Sequence, residues 1–279
     1  MILARRIFLT LVVAMLTLAA PLSFASTNVP PSNTVLMFVS YNDVWWAEYK
    51  VMYQALIATG YQVDVRSSEN ASATSYQTAP EGTVQSSADA APGGYAGFTQ
   101  TFNAQFGSAW NPSWNAPTAI PVNGRIQDVT SMEPYIAFIA AGGTGAIDYA
   151  YDGSYAVQGP MGHVSSAANV QAASERINAL IIDALRAGKP VLTQCHGARL
   201  AAFARTPGTA GQGPGGLGLS ILQNRSATGF HLDATTATDY ASLGVTYLAN
   251  RNVVVDGPTA ANLAGSAAGV SRVITTRDW

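Results

Sequence analysis

The sequence predicts an α/β fold: a doubly wound, mostly parallel sheet flanked by helices and interrupted by irregular cap inserts. Three observations lead there. Val35-Leu36-Met37-Phe38-Val39 is an unbroken apolar run, the pattern of a strand buried on both faces. A helix-spaced segment and then an alternating one follow at once, which makes a βαβ unit with parallel strands. The same alternation of strands and helices returns beyond residue 131, and such alternation builds layered α/β sheets.

The elements follow in order. Arg5 and Arg6, the apolar stretch Ile7 to Ala20 and Ser23-Phe24-Ala25 form the tripartite pattern of a cleavable secretory signal. The apolar stretch is shorter than the ~20 residues that span a bilayer. Residues 1–25 are therefore expected to be removed, and 26–279 to form one exported domain, periplasmic or secreted, with no membrane attachment after cleavage. Residues 44–59 carry Trp45, Tyr49, Met52 and Leu56 at helical spacing, with Gly60 at the place of a C′ glycine. Tyr61, Val63 and Val65 alternate as a second strand. From about 66 to 131 no period emerges, and the aromatics Phe98, Phe102, Phe106, Trp110 and Trp114 suit a packed cap on the sheet. Tyr135–Ala140 reads as a strand ending in Gly142-Gly143-Thr144-Gly145, followed by a second insert at about 146–168. Ile177, Leu180, Ile181, Ala184 and Leu185 mark an amphipathic helix closed by Gly188. Val191–Gln194 is a strand, followed by Cys195-His196-Gly197 and a helix over 198–204. Residues 245–248, 253–255 and 273–275 read as further strands.

Composition narrows the function. The 279 residues carry a net charge of −2 with 11% charged side chains, against roughly 25% in average chains. Lys50 and Lys189 are the two lysines, and no basic patch of the kind that nucleic acid requires is present. One cysteine excludes an internal disulfide framework and a Cys-rich zinc site. The Gly-rich stretch 206–218 lacks the Lys of a phosphate-binding loop and does not follow a strand.

In doubly wound sheets, sites form beyond the carboxyl ends of the strands. Two features fall there: the Gly142-Gly143 turn and Cys195-His196-Gly197. The second has the strand–nucleophile–helix layout of a nucleophile elbow, with Cys in the nucleophile position. A helix N-terminus below the sulfur favours thiolate. The backbone N–H groups of His196 and Gly143 are candidates to hold an oxyanion, and a glycine at 143 permits close backbone approach. A lone cysteine is also commonly a small buried hydrophobe.

Ala187-Gly188-Lys189-Pro190-Val191-Leu192-Thr193-Gln194-Cys195-His196-Gly197-Ala198 resembles the nucleophile segment of the ThiJ/PfpI family, which has a flavodoxin-like, class I glutamine amidotransferase-like fold. Ile139-Ala140-Ala141-Gly142-Gly143 resembles that family's strand ending in Pro-Gly-Gly, with Ala141 in place of Pro. Gly244–Leu263 resembles its C-terminal strand–turn–helix segment. The resemblance implies that Cys195 is the nucleophile and His196 its base. It further implies that Glu48, on the first helix, hydrogen-bonds the sulfur, where like charge and burial raise a carboxyl pKa. Asp233, after Thr228-Gly229-Phe230-His231, is the candidate third member of a triad, with a surface acid as the competing reading. His163 and His231 lack helical spacing, so no metal and no cofactor are expected. The implied activity is a hydrolase or glyoxalase-like reaction on a small carbonyl compound or a peptide amide. The alternative is a non-catalytic ligand-binding or chaperone-like module with a redox-sensing cysteine. The resemblance leaves a homodimer open.

Overall fold

Alternation along one strand decides the layering. The computed structural model describes residues 33–41, 43–76, 118–154, 165–231, 233–266 and 270–277. Its strands are β1 (Thr34–Phe38), β2 (Val44–Trp45), β3 (Gln62–Ser67), β4 (Ala73–Tyr76), β5 (Thr118–Ile120), β6 (Gly124–Arg125), β7 (Ala137–Ala140), β8 (Val191–Gln194), β9 (Ser226–Ala227), β10 (Thr246–Tyr247), β11 (Val253–Asp256) and β12 (Val273–Thr276). The α-helices are α1 (Trp46–Ala58), α2 (Ala167–Arg186), α3 (Ala198–Ala202) and α4 (Thr236–Ser242). On β1, Leu36 and Phe38 enter one apolar core with Ile177, Leu180 and Ile181 of α2. Val35 and Met37 point the other way, into a second core with Tyr49, Met52 and Leu56 of α1. The period-2 alternation of a strand thus places a helical layer on each face.

Seven strands form one sheet in the order β11-β12-β8-β7-β1-β3-β6. Every pairing is parallel except β11 with β12. The chain order runs outward from β1 in both directions, to β3 and to β7. The crevice beyond β1 and β7 is therefore the switch point at which such sheets bind ligands.

Helix ends fall where the sequence placed them. Gly60 takes φ +89° after α1, and Gly188 takes φ +70° after α2, conformations that glycine adopts without a Cβ penalty. Ser166 caps α2 through its side chain, which accepts from the Asn169 N–H at 3.1 Å.

Four expectations need correction. The first insert contributes β6 to the main sheet and β4 and β5 to a three-stranded sheet with β2, so it is not wholly irregular. Residues 144–149, assigned in part to the second insert, form a 3-10 helix. The strand expected at 245–248 forms as β10, but it pairs with β9 outside the main sheet. Among the described residues no helix follows β11: Asn262 and Leu263 donate to the Thr259 carbonyl at 3.0 and 2.9 Å in a single turn. The signal segment 1–25, the insert aromatics from Phe98 to Trp114, and His163 lie outside the described residues. Among the described residues no helix is long and apolar enough to cross a membrane.

Candidate active site

Three segments meet at the switch point: residues 43–48 after β1, 142–145 after β7 and 195–197 after β8. Parallel strands deliver them to the same edge of the sheet, since each leaves its strand at the carboxyl end.

Cys195 is the strained residue among them. It sits at φ +55°, in the left-handed region that a β-carbon makes costly by about 1–3 kcal/mol. That sharp turn lifts the sulfur off the end of β8 and begins the 3-10 turn Cys195–Gly197. It is the geometry of a nucleophile elbow. Phe230 N–H donates to the Cys195 carbonyl at 3.2 Å and helps hold the turn. Gly197 is obligatory, because a Cβ there would lie 2.8 Å from the Ala141 carbonyl oxygen.

Glu48 reaches the sulfur from α1. Its side chain is fully buried, and its carboxyl lies close enough to the Cys195 sulfur to push the thiol pKa up. Gly142 makes room for both, since a Cβ there would lie 1.9 Å from Glu48 Oε2 and 2.6 Å from Cys195 Cβ. The backbone N–H groups of Gly143 and His196 lie on the sulfur's side of the turn and favour its thiolate form. These are the two donors that the sequence nominated for an oxyanion.

The electrostatics differ from expectation. Cys195 is 1% exposed, and its pKa is raised well above the usual thiol value. Burial is the main cause and the adjacent Glu48 carboxyl the next; together they outweigh the two N–H donors. α3 spans five residues, too short a stack of peptide dipoles to reverse that balance. The resting sulfur is a thiol. Sulfur and carboxyl act as a coupled pair.

His196 places Nδ1 3.5 Å from Sγ. Its ring rests on Phe230, with centroids 4.3 Å apart. Burial, reinforced by the Arg199 charge, brings its pKa down to about 4 despite the opposing pull of Asp233. The imidazole is therefore neutral at pH 7 and able to accept a proton.

Asp233 stands 3.9 Å from His196 Nε2, beyond hydrogen-bond reach. Its Oδ2 instead accepts from Arg199 Nη2 at 2.8 Å, and its Oδ1 accepts from the Thr235 N–H and hydroxyl at 2.9 Å. Burial pushes its pKa up, but the Thr235 bonds and the Arg199 charge win and hold it below the ordinary value. Asp233 is an ionised neighbour of the histidine, committed first to Arg199. His231 packs edge-on against Phe230 at 6.0 Å, and the imidazole at the sulfur is that of His196. Among the described residues no group of three or more His, Cys, Asp or Glu could hold a metal ion.

Three residues of the site escaped sequence reasoning: Asp43, Arg199 and Phe230. Arg199 carried a readable signal, a scarce charge one turn past the elbow. Phe230 did not, because its contact with His196 joins segments distant in the chain.

Fold and site together define a class: a doubly wound α/β protein with a cysteine at a nucleophile elbow, faced by a buried carboxyl. The chain is similar to the ThiJ/PfpI domain protein from Brachyspira murdochii, with 15% identity, a TM-score of 0.49 and 89% of each chain covered. It is similar also to the Rapid Encystment Protein 24 kDa of Francisella tularensis, with 15% identity, a TM-score of 0.47 and coverage of 88% of this chain and 92% of that one. For Drosophila melanogaster DJ-1beta the values are 11% identity, a TM-score of 0.47, and 88% and 82% coverage. No protein-family model and no curated protein matches the chain.

Proposed function

We propose that the chain is an exported, ThiJ/PfpI-like cysteine-dependent enzyme acting on a carbonyl or amide carbon, as a hydrolase or a glyoxalase-like catalyst. The observation that carries this reading is the convergence on Cys195 Sγ of two backbone N–H donors, a buried carboxyl and a neutral imidazole. Export rests on the N-terminal sequence pattern.

The chemistry follows from those groups. The sulfur adds to the carbonyl carbon while the thiol proton passes to His196 Nδ1. The π electron pair moves to oxygen, which takes the Gly143 and His196 N–H donors. With an amide, the imidazolium returns its proton to the leaving amine, and water hydrolyses the thioester. With an α-oxoaldehyde, the Glu48 carboxylate takes the hemithioacetal C–H proton and delivers it to the neighbouring carbon, while the imidazolium gives its proton to the oxygen on that carbon and the hemithioacetal oxyanion re-forms a carbonyl. The product thioester of a 2-hydroxy acid is then hydrolysed. One carbon is oxidised and its neighbour reduced, so no external oxidant enters.

A second reading, a binding module with a redox-sensing cysteine, is favoured by one observation: the thiol is buried and its pKa lies high. Assaying the wild-type protein and Cys195→Ser against α-oxoaldehydes and peptide amides separates the two. Turnover by the wild type that vanishes in the variant supports the enzyme. Equal behaviour of both proteins overturns it.

A further inference from the structure

A second cluster of charge lies on the sheet, away from the elbow. Along β3, Val63 and Val65 join the core beneath α1, so strand alternation sends Gln62, Asp64 and Arg66 to the opposite face. No residue of β3 enters the core shared with α2, and that face is left to polar side chains. A cavity of about 510 Å³ opens over it, its walls including Gln62, Asp64, Arg66, Asn123, Pro134 and Tyr135. Gln62 begins β3, while Pro134 and Tyr135 precede β7, so the cavity reaches the amino ends of the strands. Cys195 follows the carboxyl end of β8, at the other edge.

Hydrogen bonds divide the polar groups there into committed and open ones. Asp64 is committed: its Oδ1 accepts from Arg66 Nε at 2.8 Å and its Oδ2 from the Tyr135 hydroxyl at 2.6 Å. Asp128, on the 3-10 turn after β6, is held through both oxygens by Arg125 at 3.0 and 3.2 Å. Arg66 is engaged at Nε alone. No described residue accepts from its Nη1 or Nη2, and its side chain is 23% exposed. A Cβ on Gly124 would collide with Nη1, so that glycine gives the guanidinium its place against β6. Asn123 Oδ1 accepts from the Val65 N–H at 2.8 Å, which fixes the amide and leaves Nδ2 to donate. The open capacity consists of donors, headed by a guanidinium edge whose two parallel N–H groups match a carboxylate.

We infer that this cavity binds a small organic carboxylate, its carboxyl on Arg66 Nη1 and Nη2 and its apolar body against Pro134 and Tyr135. The volume suits a small-molecule site. The inference does not depend on the enzyme reading, since no group that acts on Cys195 takes part.

The test is titration of the isotope-labelled protein with sodium benzoate, followed by backbone amide NMR, with benzamide and sodium phosphate as comparisons. Benzoate shifts the Asp64, Arg66, Asn123 and Tyr135 amides, and benzamide leaves them in place. Arg66→Gln weakens benzoate binding by roughly 10-fold or more, the worth of charge-assisted hydrogen bonds. Gln62→Glu, at an exposed position, sets a like charge at the rim and weakens binding by about 3–10-fold. Shifts confined to residues 142–145 and 195–197, an equal response to benzamide, or no shift at millimolar benzoate overturns the inference. So does phosphate binding tighter than that of benzoate. An unchanged affinity in a folded Arg66→Gln overturns it too. Should that variant fail to fold, an unchanged affinity in Gln62→Glu does so.

Discussion

At the scale of the residue, Glu48 has opposite effects on the sulfur at rest and in reaction. Its carboxyl is one of the causes that raise the Cys195 pKa, so it holds the thiol protonated. In the proposed reaction it is also the acceptor for the substrate proton. Glu48→Gln separates the two. Loss of the negative charge lowers the thiol pKa, and alkylation at pH 8 speeds by about tenfold for each unit of that fall. Turnover drops by roughly 10²–10⁴-fold, the usual worth of a general base. A variant in which both rates fall together would contradict this division. Cys195 and His196 drew notice because they follow a buried strand in a strand–turn–helix motif, whereas Glu48 was nominated only through the family resemblance. The charge state of the sulfur was not legible, since it depends on how completely α1 and the β7 turn exclude water.

At the scale of the element, Arg199 ties α3 to the segment that leads into α4. Its guanidinium, 6% exposed, pairs with Asp233 and Asp239 and meets the Thr235 hydroxyl. Arg199→Met keeps the aliphatic stem but strands two carboxylates. Both acids are partly exposed, so the cost is set at about 2–4 kcal/mol, below that of a fully buried pair. Thermal denaturation would show a fall of roughly 5–15 °C at pH 7 for a chain of this size. The same change frees Asp233 and removes a cation that lowers the His196 pKa. An NMR titration of the imidazole would then show its pKa rising from about 4. An unmoved histidine would show that Arg199 acts on stability alone. The sequence offered Asp233 as either triad member or surface acid. The structure makes it neither, because α3 and α4 bring an arginine to it first.

At the scale of the molecule, two buried groups oppose each other in acid. Asp43 titrates near 6 in the fold against 3.8 as its ordinary value, raised by burial despite bonds from Thr144 and Gly145. Between those values the native state binds the extra proton, so Asp43 lowers stability as pH rises. His196 is lowered by burial from 6.5 to about 4. There the unfolded chain binds the extra proton, and stability rises with pH. The windows overlap, and the two slopes nearly cancel from about pH 4 to 6. Asp43→Asn removes one of them. Its melting temperature should climb with pH across that interval, by an amount on the order of 1–3 kcal/mol in stability, while these two groups leave the wild-type curve flat. A flat curve in Asp43→Asn would show that His196 is not buried in its neutral form.

The sequence by itself determined the layering and the place of Cys195 at a turn between strand and helix. Apolar runs and periodicity state which faces must be buried, and Gly142, Gly143 and Gly197 mark where backbones approach too closely for a side chain. Only the tertiary structure decided that β6 completes the sheet, that Arg199 claims Asp233, that Phe230 supports His196, and that the Asp43 backbone carbonyl accepts from Gly145 beside the nucleophile. These depend on contacts between segments far apart in the chain. The protonation of Cys195 and His196 belongs with them, because a pKa is set by the water and charge around a group, and packing alone arranges those.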